Sequence, residues 1–534
     1  MKRNKKLLIS LLVLPLLFSG NNTNYLKNHI KSPLFASGDD SYTPKMVVTT
    51  FNGNSKNEIG ITWHLDLPSL NQTAELVEAS INDFSSSEVV KLSIGKGVSL
   101  EPNLGADDAG KVYKAKFTNL KPNTKYLYRV GNSENYSDIH SFITSGDNGA
   151  FSFAHISDPQ GWSYSDYDPG FLQTLKNAST KNPSLIALTG DIVDRAKEGK
   201  LNNAYNQWLW ALDSTKEYLK DTIIAPVSGN HETGKYQFSS RFNLKNVDTD
   251  DGISGNYYSF SYNEAYFLCL NTNDTLNPTD PDTCTGLSNN QLNFIKSDLE
   301  KNKNAKWKFV LLHKGLFDPG EHSSNKQYEE GTYHDYDIDK IRKQLVPLFD
   351  QYNVDVVLQG HDHLYSRTLP TIAKNNGYSV GEYAEKIINH NGKDYKTKYV
   401  TNGTIYCNTS TASGSKYYSV TTYDENMMHF EIAKGMTPRM YTNYEVYGDY
   451  LFVDSYEIDA FGEEKVYESW ALTKNEIKND QPIDEGNVEE NNDKSSNIGL
   501  IVGLTISGVV IIGIAVALTI IFIKKKKGKQ LWKH

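Results

Sequence analysis

Hydrophobic and polar positions follow different rhythms in different parts of the chain. Between Lys45 and Ser145, short runs alternate apolar and polar residues. Examples are Glu58-Ile59-Gly60-Ile61-Thr62-Trp63 and Lys111-Val112-Tyr113-Lys114-Ala115-Lys116-Phe117, with turn residues between such runs. Alternation at period two marks strands with one buried face, so residues 41–146 are predicted to form an all-β sandwich. After Gly149 the runs become largely apolar, at residues 151–156, 185–188, 223–227, 307–312 and 356–358. Segments with helical spacing separate them, at 171–179, 204–219, 288–301 and 338–352. Strands alternating with helices predict an α/β domain over residues 150–473, with mixed, largely parallel sheets flanked by helices.

The two ends read differently again. Lys2, Arg3, Lys5 and Lys6 precede an apolar stretch, 7–18, interrupted only by Ser10 and Pro15. That is the pattern of a secretory leader, assigned to residues 1–36, with cleavage near Ser19-Gly20 or near Ala36-Ser37. Residues 498–523 carry no charge and are followed at once by Lys524, Lys525, Lys526 and Lys527. As a helix this stretch is roughly 39 Å long, enough to cross a membrane core of about 30 Å. The lysines mark the cytoplasmic side, with residues 524–534 as a basic tail. Residues 474–497, rich in Asn, Asp, Glu and Lys, read as a flexible acidic stalk. The expected topology is an extracellular ectodomain held in the cell membrane by one C-terminal transmembrane helix.

Composition narrows the chemistry. A chain of 534 residues is too long for one core. A formal net charge of −9 offers no nucleic-acid-binding patch, although metal ions can supply the positive charge that phosphate chemistry needs. Cys269, Cys284 and Cys407 are too few for a disulfide scaffold or a thiolate metal site. Cys269 and Cys284 could pair in an oxidising compartment, whereas Cys407 reads as a small hydrophobe in a strand.

The apolar runs of the second segment all stop at polar residues. Residues 151–156 close on Ser157-Asp158, and 185–188 on Thr189-Gly190-Asp191. Residues 223–227 end in Ser228-Gly229-Asn230-His231-Glu232, and 307–312 in His313. The last run is Val356-Val357-Leu358-Gln359-Gly360-His361-Asp362-His363. Taken singly, an Asp before a helix is usually an N-cap and Gly-Asn a turn. In an extended segment alternate residues share a face, so His361 and His363 are expected to face one spot. Parallel pairing would bring all five strand ends to one sheet edge, the usual place for ligands in open α/β sheets. Asp158, Asp191, Asn230, His313, His361 and His363 would then converge. Mixed Asp, Asn and His ligation without thiolate suits Mn, Fe or Zn. Six candidate ligands exceed what one ion takes, so two ions sharing a carboxylate are expected, an arrangement suited to phosphoryl displacement.

These motifs, in this order, resemble those of the calcineurin-like metallophosphoesterases. With the preceding sandwich they look most like the purple acid phosphatase branch. The sandwich itself resembles a fibronectin type III-like module, through its Trp63 strand and the stretch Leu120-Lys121-Pro122-Asn123-Thr124-Lys125-Tyr126-Leu127-Tyr128-Arg129-Val130. The resemblance implies that Asp158 and His363 hold one ion, that Asp191 bridges, and that Asn230, His313 and His361 hold the other. It implies attack on phosphorus by a hydroxide that the metals activate. It also implies a catalytic His231 beside the transition state and a substrate-contacting His322. Two positions depart from that pattern. Asp194 stands where the purple branch has an iron-binding tyrosine, and Gln160 where many relatives have a ligating histidine and the purple branch a glycine. A colourless centre follows from the first, and a weak or lining role for Gln160 from the second. Arg367 could meet a phosphate oxygen or form a surface ion pair. The expected function is a surface-anchored phosphohydrolase acting on external phosphoesters, monoesters before diesters or nucleotides. The alternative is a catalytically silent surface binding or adhesion protein that keeps the fold.

Overall fold

A computed structural model describes residues 40–95, 97, 111–196, 201–234, 236–245, 255–280, 282–323 and 335–477. The expected leader and transmembrane span lie outside these residues. Among the described residues no helix is long and apolar enough to cross a membrane. The stalk was expected from Lys474. The folded region instead extends through Ile477, which is buried, and Lys474 forms an ion pair with Asp355.

The five apolar runs become strands, but they divide between two sheets. Phe151–Ile156, Leu185–Leu188 and Ile223–Pro226 pair in parallel in an eleven-stranded sheet. Trp307–Lys314 and Val356–Gly360 pair in parallel within a seven-stranded sheet. The ligand-bearing loops therefore meet where the ends of two sheets face each other, not along one edge. Side-chain parity explains the geometry. Trp307, Phe309, Leu311, Val356 and Leu358 enter the core between the sheets, while Val310, Leu312 and Val357 pack on the other side with Ile295, Leu299, Ile341 and Leu345. Phe153 from the first sheet meets Phe309 from the second edge-on at 5.1 Å. His313 continues the inward parity of Trp307, Phe309 and Leu311, so it points at the opposite sheet.

Helices cover the outer side of the second sheet. Asn289–Lys301 is capped by Ser288, whose hydroxyl accepts from the Gln291 N–H. Tyr336–Tyr352 stops at Asn353, a left-handed residue of the kind that ends helices. Leu172–Ser179 and the helical segments between Leu201 and Leu219 also match the spacing of the sequence.

The N-terminal segment is a sandwich, as expected, but not a separate one. One of its sheets comprises Val90–Gly95, Gln72–Glu78, Lys125–Gly131 and His140–Ile143. Its other strands, Lys45–Thr50, Ile59–His64 and Val112–Phe117, extend the eleven-stranded sheet, with Thr50 opposite Ile224. Trp63 stacks on Tyr113 and donates from its indole N–H to Gln72 across the sandwich, at 3.1 Å. The three cysteines are buried and no disulfide joins Cys269 to Cys284. Cys407 lies in the strand Ile405–Thr409, as its surroundings in sequence suggest.

Candidate metal centre

Backbone conformation sets the centre up before any side chain does. Asp158, Asp191 and His361 all lie just past a strand end with positive φ, 48°, 47° and 76°. Non-glycine residues hold such angles at a cost of about 1–3 kcal/mol each, and they concentrate at functional sites. Gly360 is required for the close approach of the two sheets. A Cβ there would lie 2.1 Å from Ser157 Oγ and 2.7 Å from Asp158 Oδ2. His361 and His363 therefore follow a turn rather than alternate along a strand. They face different partners.

The six expected ligands do converge. His363 Nε2 lies 3.3 Å from Asp158 Oδ1, and His313 Nε2 lies 3.3 Å from Asp191 Oδ1 and 3.0 Å from Asn230 Oδ1. Asp191, His313 and His361 offer ligand atoms within 4.8 Å of one another. The Asp191 carboxylate faces both halves. Its Oδ1 is on the His313 side, and its Oδ2 accepts from Gln160 Nε2 at 3.1 Å, which itself lies 3.2 Å from His363 Nε2. Gln160 thus lines the centre between Asp191 and His363.

The histidines are oriented by backbone. His313 Nδ1 donates to Thr189 O at 2.9 Å, His363 Nδ1 to Lys416 O at 3.2 Å, and His231 Nδ1 to Asp194 O at 2.5 Å. A carbonyl can only accept, so each Nδ1 carries the proton and each Nε2 is turned to the centre, the arrangement ligating histidines use. His231 sits in the turn Asn230–Glu232. Its N–H donates to Asp191 Oδ1 at 3.0 Å, and its Nε2 is 3.8 Å from Asp191 Oδ2.

The electrostatics fit a cation. Burial alone would push the Asp158 and Asp191 carboxyls up. The His363 charge outweighs this at Asp158 and the His313 charge at Asp191, so both lie below the usual carboxylate range. Burial pulls His313 down, but the neighbouring Asp191 carboxylate lifts it to about 9. Two buried carboxylates thus hold a proton on an imidazole whose Nε2 faces them, a place that a metal ion would take. The nitrogen and oxygen donor set, without sulfur, is one that Mn, Fe or Zn accepts.

Two participants, Asp335 and Lys416, have no local sign in the sequence, and a third, Glu232, shows there only as the end of its motif. Asp335 is buried and accepts from His361 Nε2 at 2.8 Å and from His322 Nδ1 at 3.1 Å. It thereby brings His322 beside His361, with ring centroids 4.2 Å apart. Glu232, fully buried, accepts from the N–H groups of Asp191, Val193 and Gly229, and burial with the Asp191 charge pushes its carboxyl up to about 8. Lys416 reaches Asp194 Oδ1 at 2.7 Å. Glu232 closes the Gly-Asn-His-Glu motif and was visible there. Asp335 and Lys416 lie in stretches where nothing local distinguishes them from a helix cap or a surface lysine. Arg367 is neither at the centre nor on the surface. Its guanidinium is buried and pairs with Glu431 and Glu468 over the Trp470 ring.

Two facing sheets thus assemble, at their strand ends, a donor set that could hold metal ions. Residues 151–365 match the calcineurin-like phosphoesterase family, and residues 44–144 match the purple acid phosphatase N-terminal domain. The chain therefore carries a calcineurin-like metallophosphoesterase domain behind a purple acid phosphatase N-terminal domain. Among curated proteins it is similar to purple acid phosphatase 21 of Arabidopsis thaliana, 26% identical over 50% of this chain and 55% of that one. It is also similar to probable inactive purple acid phosphatase 9 of the same plant, 25% identical over 49% of this chain and 44% of that one. The chain spans about half the length of these relatives. Among solved structures, the purple acid phosphatase PPD1 from yellow lupin (Lupinus luteus) seeds shares the fold. The TM-score is 0.58 with 16% identity, covering 81% of this chain and 74% of that one. PhoD also has a TM-score of 0.58, with 14% identity over 82% and 92%.

Proposed function

We propose that this chain is a cell-surface dinuclear-metal phosphohydrolase that cleaves external phosphoesters, monoesters foremost. The observation that carries the reading is the Asp191 carboxylate, with one oxygen toward His313 and Asn230 and the other toward Gln160 and His363. Asp158 and His363 would hold one ion and Asn230, His313 and His361 the other, with Asp191 shared. When bound, such a pair supplies Lewis acidity and an activated water.

The remaining groups belong to the protein. His231 Nδ1 is committed to the Asp194 carbonyl, so Nε2 faces the reacting ester. Protonated there, it can donate to the departing alkoxide. His322, held by Asp335, lies on the His361 side, where it can meet a phosphoryl oxygen. Asp194, paired with Lys416, stands where a tyrosinate would give colour, which supports a colourless centre. The leader and the 498–523 span of the sequence support the surface location.

The test is turnover by the purified full-length protein loaded in turn with Mn, Fe and Zn, on para-nitrophenyl phosphate, bis-para-nitrophenyl phosphate and nucleotides. Hydrolysis with at least one metal, abolished by Asp191→Ala, is expected. The silent binding protein is the second reading, favoured by similarity to probable inactive purple acid phosphatases. Absence of bound metal and of turnover would select it. Protease shaving of intact cells, with loss of the ectodomain from the surface, tests the location.

A further inference from the structure

Lys416 takes no part in the ligand set, yet it is built into the centre. Its carbonyl accepts from His363 Nδ1, so its backbone is tied to a ligand. The preceding loop is stitched to the Gln160 carbonyl by the hydroxyls of Ser413 and Ser415, at 2.7 and 2.6 Å. Its side chain then turns back so that Nζ lies 2.7 Å from Asp194 Oδ1 and 3.4 Å from Gln160 Oε1. Gln160 in turn touches both Asp191 and His363. The ammonium is thus one side chain away from the carboxylate that faces both halves.

An ammonium has three N–H donors. Two are directed at Asp194 and Gln160, and the third has no partner among the described residues. The side chain keeps 21% of its surface exposed, and the ring of Trp162, itself 66% exposed, lies 5.9 Å away. The Lys416 side chain is therefore held at Asp194 and Gln160 yet remains partly exposed to solvent.

Resting on the phosphohydrolase reading above, we propose that Lys416 contacts a non-bridging phosphoryl oxygen and makes the centre select dianionic phosphomonoesters over monoanionic phosphodiesters. At neutral pH a monoester carries one more negative charge than a diester and has three terminal oxygens where a diester has two. Two of those oxygens can face the metal ligands while the third meets Lys416. In a diester that place is taken by a second ester group, which is bulkier and cannot accept a charge-assisted bond of the same strength. A fixed, partly desolvated ammonium stabilises the extra charge.

The experiment compares wild type, Lys416→Met and Lys416→Arg, all full-length and Mn-loaded, with metal content measured on each preparation. Lys416→Met is expected to lower kcat/KM for para-nitrophenyl phosphate by about ten- to a hundredfold, and that for bis-para-nitrophenyl phosphate by less than about threefold. Lys416→Arg is expected to restore most of the monoester rate. Equal losses on both esters would show a structural role, and unchanged rates would show none. Either overturns the proposal. Calorimetric titration with inorganic phosphate and with dimethyl phosphate is run in parallel. If the wild type hydrolyses neither ester with Mn, Fe or Zn, the phosphohydrolase reading fails by itself. Lys416 is then judged on binding alone, and a Lys416→Met variant with the wild-type preference between the two anions overturns it.

Discussion

His231, His313 and His363 each give Nδ1 to a main-chain carbonyl, so their rings are oriented by the ends of strands and loops. His361 differs, because its Nε2 is bonded to the Asp335 carboxylate. Replacing Asp335 with Asn keeps the shape but removes the charge that steers His361 and His322. Loss of such an outer partner lowers metal affinity by about 10–100-fold. Metal titration of Asp335→Asn is expected to show weakened binding of one of the two ions, while affinity for the ion on the Asp158 side stays near wild type. Gly360→Ala acts on both sheets. Its added methyl would collide with Ser157 Oγ and Asp158 Oδ2, at an overpacking cost of about 1–3 kcal/mol. Urea melts of Gly360→Ala are expected to show that loss together with reduced metal content. Of these residues, the ligands were legible because strand ends made of Asp, Asn and His are rare in combination. Asp335 was not, because an Asp immediately before a helix is the commonest of caps.

At the scale of elements, the ion cluster around Arg367 does the work first considered for substrate. It joins the strand Tyr365–Thr368 to Glu431 of Phe430–Lys434 and Glu468 of Glu464–Thr473, and so ties one sheet to the other. Arg367→Met leaves Glu468 without its buried cation and Glu431 with only its lysine partners, and is expected to cost about 3–5 kcal/mol, with turnover per folded molecule unchanged. Glu431 gives this cluster a pH signature. Burial raises its carboxyl, but Arg367 and Lys398 outweigh that and hold it at about 2, against 4.5 for a free side chain. A depressed acid contributes stability that is present above the unfolded value and lost as pH falls from there through the folded value. The stability gap between wild type and Glu431→Gln is therefore expected to be widest above pH 4.5 and to close as pH falls towards 2, measured by denaturant titration at each pH. Arg367 was misplaced in the sequence reading because its partners lie 64 and 101 residues away. The strands Arg439–Tyr447 and Tyr450–Ile458 were likewise not read, since their alternation is blurred by buried tyrosines such as Tyr441 and Tyr444.

For the molecule as a whole, the shared eleven-stranded sheet makes the sandwich a structural part of the phosphoesterase domain. The strand Ile223–Pro226, which leads into Asn230 and His231, has a sandwich strand on one side and Leu185–Leu188 on the other. Removing residues 40–149 would leave Ile223–Pro226 as an exposed apolar edge, a template for aggregation. A chain lacking that segment is expected to aggregate on expression, as seen by light scattering, rather than yield a stable catalytic domain. Metal couples to the same fold. Asp158 and Asp191 are buried carboxylates whose charge a cation offsets, so chelation is expected to lower the melting temperature by several degrees, and added Mn or Zn to restore it.

Whatever depends on local order along the chain is legible in the residues alone. Alternating apolar residues become strands, helical spacing becomes helices, and the polar residues that end each apolar run become the six candidate ligands. The sequence also carried the basic and apolar patterns at residues 2–18 and 498–527 on which the proposed surface location rests. Matters of distance between remote segments emerge on folding. These include the division of the ligand strands between two sheets, the fusion of the sandwich to one of them and the burial of Arg367. They also include the arrival of Asp335 and Lys416 beside His361 and Gln160. The reason is physical. Periodicity reports which face of an element is buried, but which partner buries it depends on packing across intervals of tens to hundreds of residues, and no local pattern records that choice.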